Sequence, residues 1–310
     1  MNHITNSNEY LVFRTKDVCG GLADRLIGMV SGIMLAKISG RQFLVDWKRP
    51  NMDHVWTNLN SFNAHSEQLN KLPTLILDCI DHRFKYKQDL NTHCLKDLWK
   101  EPVIILYCNQ EIASWVYSNP HYKHLHGKFF EDLISVYKQL FHCYMRVNNP
   151  VSTQKLVCYG LPSSHLHPVV KKQIGLHIRA GDTHMKCGFV EWFDHSKVCD
   201  VILPQCRSLL ERNGWNPENY FLFVTSDINC IADIRAMFPE YQIINNDGKI
   251  DHLEKQGTPD GIEKTMADLQ NLRDSDIFII SWHSNFGRIA SLMSTNILHA
   301  PIYAITTQGE

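Results

Sequence analysis

The amino-acid sequence predicts an α/β protein of two domains, each built on a parallel sheet, facing each other across a ligand cleft at the C-terminal ends of their strands. Three observations carry that expectation. Short apolar strands alternate with helical segments through the second half, the pattern of a parallel sheet covered on both faces. The first half opens on the same unit, a strand, then Gly20-Gly21, then an apolar-rich helix. Between the halves, Asn148-Asn149-Pro150-Val151-Ser152-Thr153 and Leu161-Pro162-Ser163-Ser164 are rich in turn formers. The junction is therefore expected within 148–172, with domains at 1–160 and 161–310.

In chain order, the first domain is expected to hold a strand at 10–14, a helix at about 22–38 closed by Gly40 as C-cap, and a strand at 42–45. Strands at 74–77 and 103–107 follow, the second just after Pro102, and 129–141 has helical spacing. The stretches between them are polar, aromatic-rich and less regular. The second domain is expected to place strands at 174–178, 220–225, 241–244 and 276–281 between helices near 195–212, 229–238, 261–273 and 285–298. Ligands of such folds bind in the crevice at the C-terminal ends of the strands.

Composition narrows the function class. With 310 residues, 44% hydrophobic and 20% charged, the chain reads as a globular protein long enough for two cores. Its net charge of −1 argues against a general nucleic-acid binder. No apolar run approaches a membrane span, and no targeting segment or Asn-x-Ser/Thr sequon is present. The ten cysteines are read as reduced and mostly buried, and the chain as cytoplasmic.

Three segments carry chemistry. In Gly175-Leu176-His177-Ile178-Arg179-Ala180-Gly181-Asp182, alternation places His177 and Arg179 on one strand face. A guanidinium at a strand end beside a glycine can grip a phosphate through two hydrogen bonds, or pair with a carboxylate such as Asp182. In Ser281-Trp282-His283-Ser284-Asn285-Phe286-Gly287-Arg288, a strand end opens a helix whose free N–H groups form an anion site. Ser281 or Ser284 as a helix cap uses the same donors and is compatible with that role. Gly20-Gly21-Leu22-Ala23-Asp24-Arg25-Leu26 is a strand-to-helix turn; on its own it reads as a tight turn with Arg25 on a solvated face.

Together, Gly-Gly-Leu-x-x-Arg-Leu, His-x-Arg-x-Gly-Asp and Ser-x-x-Ser-x-Phe-x-Arg-x-Ala resemble the fucosyltransferase superfamily of α1,2-, α1,6- and protein O-fucosyltransferases. The resemblance runs through most of the chain and is densest in the second half. It implies a GT-B-like fold, GDP-fucose as donor substrate with no cofactor or metal, and inversion at the anomeric carbon. It implies that Arg179 binds the β-phosphate and that His177 lies near ribose and guanine. Ser284 and the N–H groups of Asn285 and Phe286 would hold the pyrophosphate, with Gly20 and Gly21, a glycine pair that lets a ligand approach closely, also binding the donor. Asp268, sixteen residues before Ser284, would accept from guanine N1–H and N2–H. Asp227 in Thr225-Ser226-Asp227 would hold the ribose, or instead cap the following helix. The acceptor is expected to be a glycan or protein hydroxyl held by the first domain.

The acceptor hydroxyl needs a base. Cys187 stands where α1,6 enzymes carry a Glu, so Glu191 becomes the first candidate and Asp182 the second, with Asp182 alternatively orienting Arg179. His184, Cys187, His195, Cys199 and Cys206 lack the paired Cys-x-x-Cys spacing of a structural zinc site, and Asp274-Ser275-Asp276 reads as a solvated turn. The neighbouring readings are transfer of another GDP-activated sugar, and a non-catalytic binding protein that kept the fold.

Overall fold

The computed structural model of the chain describes residues 8–16, 20–47, 65–80, 83–140, 171–180, 195–248, 258–282, 284–294 and 302–305. They divide into two compact units, one holding the described residues through 140 and the other those from 171 onward. The expected junction at 148–172 lies almost wholly outside the described residues.

The first unit runs β1 (Tyr10–Arg14), α1 (Leu22–Ser39), β2 (Gln42–Asp46), α2 (Ser66–Leu69), β3 (Thr74–Asp78), α3 (Arg83–Thr92), α4 (Leu95–Leu98), β4 (Val103–Tyr107), α5 (Ala113–Tyr117), a 3₁₀ turn (Pro120–Leu125) and α6 (Phe129–Gln139). Its four strands pair in the order β2-β1-β4-β3, all parallel. Gly40 closes α1 at φ 73°, its N–H bonded to Ala36 O, as a left-handed C-cap should. Helices α2 to α5 have no counterpart in the sequence expectation. Three of them are four or five residues long, too short to hold themselves, and α5 stands on its buried Trp115, Val116 and Tyr117.

The second unit runs β5 (Lys172–Ile178), α7 (His195–Lys197), a π-turn (Val198–Ile202), α8 (Leu203–Arg212), β6 (Tyr220–Ser226), α9 (Ile231–Met237), β7 (Ile243–Ile244), α10 (Pro259–Arg273), β8 (Ile277–Ser281), α11 (Asn285–Met293) and β9 (Ile302–Ile305). All five strands are parallel, in the order β7-β6-β5-β8-β9. Alternation along β5 sorts its faces. Ile174, Leu176 and Ile178 join a core with Val198, Ile202, Leu210, Leu222, Val224, Ile234, Ile277 and Ile279. Gly175 faces the other way, and a Cβ there would run into Leu272 of α10 and Ser275 just beyond that helix. Leaving β5 the chain fills β6 and β7 on one side, then crosses to β8 and β9 on the other. The β5/β8 boundary is thus the point where strand order reverses and ligand crevices open.

Four sequence expectations shift. The helix at 195–212 is interrupted by the π-turn just before Pro204, which has no N–H to contribute to a regular ladder. The strand expected at 241–244 shortens to Ile243–Ile244, because Tyr241 turns back, with its N–H on Phe238 O at 3.1 Å and its hydroxyl donating to Trp215 O. The edge strand β9 was not expected; with Ile302 and Ala304 exposed, it lacks the strong apolar run of the central strands. α11 ends at Met293, and 295–298 lies outside the described residues. No described helix is long and apolar enough to cross a membrane.

Leu176, 1% exposed and paired with Val224 and Ile279, tests the second core. Leu176→Ala should cost about 2–5 kcal/mol in urea denaturation, whereas Ile302→Ala, at a side chain 46% exposed, should change stability by about 0.5 kcal/mol or less.

Candidate functional site

Parallel register builds the site. His177 sits opposite Thr225 of β6 and Ile280 of β8. Side chains in register on one sheet face are neighbours, and His177 Nδ1 lies 2.7 Å from Thr225 Oγ1. On its other side Nε2 lies 2.6 Å from Ser284 Oγ, the N-cap of α11. The ring also stacks at 5.2 Å on Phe286, tilted 36°. Burial, with the Arg179 cation second, holds His177 down to about 3. It is therefore a neutral imidazole clamped between two hydroxyls, with both nitrogens in use.

Arg179 follows the last residue of β5, so it lies at the strand's end and not on its face. Its N–H donates to Ser281 Oγ at 3.0 Å, and Ser281 Oγ–H reaches back to His177 O at 3.4 Å. Its Nη1 lies 3.0 Å from Asp227 Oδ2, while Asp227 Oδ1 accepts from Ala180 N–H at 2.7 Å. Of the two roles expected for Asp227, helix capping is not found, since the N-cap of α9 is Cys230. The side chain instead faces the strand end of β5.

The start of α11 is pressed against this edge. A Cβ on Gly287 would stand 2.8 Å from Ile280 Cγ2 and 3.1 Å from His177 Cδ2, so only glycine lets the helix approach so closely. Ser284 Oγ accepts from Gly287 N–H at 3.5 Å, and Asn285 and Phe286, both half-buried, form the first turn. Two residues that the motifs contain received no role of their own from the sequence. Thr225 completes the hydroxyl–imidazole chain, and the register of two apolar strands was the signal for it. Trp282 is 61% exposed between Ser281 and the helix start.

Asp268 is buried on α10. Its Oδ1 accepts from Asn246 Nδ2 at 2.8 Å and its Oδ2 lies 2.5 Å from Lys264 Nζ, one turn earlier. Burial raises its pKa above the ordinary carboxylate value against the opposing pull of Lys264 and Asn246. Asn246 Oδ1 in turn accepts from Asn271 Nδ2 at 3.1 Å, and Gln173 Nε2 donates to Asn271 O and Ser275 Oγ. Asp268 thus ends a polar network running through the α10 face to the start of β5.

In the first unit, Gly20 adopts φ 78° and Gly21 N–H donates to Asp24 Oδ2 at 3.1 Å. Arg25 is not on a solvated face. It is 1% exposed, with Nε donating to Gly20 O at 3.1 Å and its guanidinium 5.7 Å from the Trp47 ring centroid. The turn is folded around its own arginine. At the C-terminal edge of the same sheet, Arg14 pairs with Asp46 and Lys16 with Asp78, contacts that no motif announced.

Asp182, His184, Cys187 and Glu191 lie outside the described residues. Cys206 is buried in the second core, its thiol pushed up to about 12 by burial. Among the described residues no cluster of three His, Cys, Asp or Glu could hold a metal ion. The described cysteines carry free thiols, four of them buried. Asp276 braces the sheet by accepting from Gln173 N–H at 2.9 Å, and Asp274 pairs with Arg273.

No family model and no curated protein matches the chain. Solved structures do. A mutant of Arabidopsis thaliana FUT1 in complex with GDP aligns with TM-score 0.63 at 16% identity, covering 92% of this chain and 68% of that one. The α-1,6-fucosyltransferase NodZ soaked with GDP-fucose, a Bradyrhizobium protein, gives 0.55 at 15%, covering 92% and 93%. POFUT1 in complex with GDP gives 0.53 at 12%, covering 98% and 99%. The class is therefore the mixed α/β, parallel-sheet GT-B fold. Within that class, the chain has a fucosyltransferase-like fold.

The buried imidazole makes stability depend on pH. Above about 6.5 His177 is neutral in both folded and unfolded chains, so it adds no pH dependence. As pH falls below that, the unfolded chain takes up a proton that the folded one refuses. This group's share of stability should then drop by about 1.4 kcal/mol per pH unit, until its folded value of about 3 is reached. Urea denaturation at pH 7.5 and 5.5, for wild type and His177→Gln, should show the gap between them narrowing at the lower pH. A gap independent of pH would contradict the clamp.

Proposed function

We propose that the protein is an inverting glycosyltransferase that moves fucose from GDP-fucose to a hydroxyl of a glycan or protein acceptor, without a metal ion. The observation that carries this reading is that Arg179, at the C-terminal end of β5, and the Ser284-capped start of α11, just beyond β8, are each held by buried partners beside the β5/β8 reversal point. When the glycosidic bond breaks, negative charge grows on the leaving diphosphate. A fixed guanidinium and N–H groups at a helix N-terminus stabilise that charge more than they stabilise the bound donor, which is what lowers a barrier. The likeness to FUT1, NodZ and POFUT1 structures supports the same assignment.

In this reading Arg179 binds the β-phosphate, while Asn285 and Phe286 N–H groups hold the pyrophosphate. Asp268 reads guanine, whose N1–H and N2–H match one carboxylate in a way adenine's edge does not. Lys264 then acts as the counter-ion beside Asp268 before the base arrives. His177, with both nitrogens occupied, serves the ligand by fixing Ser284 and takes no proton in turnover. Glu191 is the first candidate for the base that deprotonates the acceptor, and Asp182 the second. The first unit holds the acceptor. These contacts touch nucleotide and phosphate, so transfer of another GDP-activated sugar uses the same donor site. Cys187 at the offset of the expected Glu is the one feature that favours a non-catalytic binder.

Calorimetric titration with GDP, ADP and UDP, with chelator present, tests the donor site. Wild type should bind GDP and neither of the others. Arg179→Ala should bind GDP roughly 10- to 150-fold more weakly for each charge-assisted hydrogen bond it removes. Equal binding of all three nucleotides, or none, would remove the transferase reading. If GDP binds, fucose transfer from GDP-fucose then separates an enzyme from a binding protein.

A further inference from the structure

We infer that Asp227 is the positioning residue of the donor site: it acts on the nucleotide through Arg179, and does not itself touch the ribose. The inference rests on the GDP-sugar reading above and goes beyond it in naming what holds the phosphate-binding arginine. Asp227 is the first residue after β6, and β6 pairs with β5 through Ser226 and Ile178. That register sets Asp227 beside Arg179 and Ala180. Its own N–H donates to Ile178 O at 3.4 Å, which ties its backbone to the end of β5. Its two oxygens then divide the work: Oδ1 takes Ala180 N–H at 2.7 Å, and Oδ2 faces Arg179 Nη1 at 3.0 Å. The Asp227 side chain is 7% exposed and that of Arg179 21%, so the carboxylate lies deeper than the cation it holds.

Elementary electrostatics makes this sharp. A carboxylate beside a diphosphate site repels the ligand, so charge counting alone predicts that removing Asp227 tightens GDP binding. Positioning predicts the opposite. Arg179 has a long side chain with many rotamers, and its backbone is fixed independently by Ser281. The carboxylate sets where the guanidinium points. A guanidinium has five donors in a rigid fork, so one end held by Asp227 orients the rest toward an incoming phosphate.

The test is displacement titration of GDP and GMP from the folded full-length protein. GMP lacks the β-phosphate, so it reports base, ribose and α-phosphate contacts without the β-phosphate contact assigned to Arg179. Asp227→Asn should weaken GDP by about tenfold or more, the scale of a charge-assisted bond, and leave GMP within about twofold, the spread of an untouched contact. GDP binding unchanged or tightened would overturn the inference, as would equal weakening of GDP and GMP, which marks a direct ribose contact. Wild type that binds no guanine nucleotide overturns the donor-site reading itself, and is seen before any variant is measured. Should Asp227→Asn fail to fold by circular dichroism, Arg179→Lys tests the same clamp from the other side. Lysine keeps the charge but cannot hold a carboxylate and a phosphate through one rigid fork. It should lower GDP affinity relative to GMP, and an unchanged ratio would overturn the inference.

Discussion

A buried imidazole between two hydroxyls holds the second unit's working edge together. His177 joins β5 to β6 through Thr225 and to α11 through Ser284, at 2.7 and 2.6 Å. A hydrogen bond in a site closed to water is expensive to leave unmade, so each end of this chain constrains the others. The small residue at Gly287 is the steric counterpart, since it lets the helix start rest against the same ring. The clamp thereby fixes the helix N-terminus relative to the strand ends, independent of any ligand.

Charge at that edge is arranged around this neutral centre. His177 stays uncharged, and Arg179 brings a cation to that edge, its guanidinium held by Asp227 and its N–H by the Ser281 hydroxyl. Preorganisation of this kind matters for transfer from a diphosphate, where charge moves onto the leaving group and fixed donors need no rearrangement to meet it. At the far end of the α10 face, Asp268 is kept in a satisfied network by Asn246 and Lys264. A carboxylate so buried is costly without partners, and its neighbours make its placement in the free protein tolerable.

How much of this the sequence revealed depended on how far apart the interacting residues lie. Strands β1, β4, β5, β6 and β8 were readable because their apolar runs are bounded by glycines, prolines and polar turns. So was the C-cap at Gly40, a local signal of one residue. The short helices α2, α4 and α5 were not, because tertiary burial and not propensity holds them. Arg25 looked like a surface residue because a buried guanidinium folded over Trp47 leaves no periodic trace. At the site, the motifs pointed to His177, Arg179 and Ser284 as residues, but not to what they touch. The Thr225 and Asp227 contacts span 48 and 47 positions, set by the register of β5 against β6. Only strand order turns such separations into hydrogen bonds.

In the proposed reading, Arg179 and the start of α11 together form a diphosphate seat prepared in the free protein. A crystal structure of the protein with GDP tests it most directly. The expected complex has a β-phosphate oxygen within hydrogen-bonding distance of the Arg179 guanidinium and of an N–H in the first turn of α11, with the Thr225–His177–Ser284 chain intact. A nucleotide seated elsewhere, or a phosphate bound only after His177 releases Ser284, would contradict it.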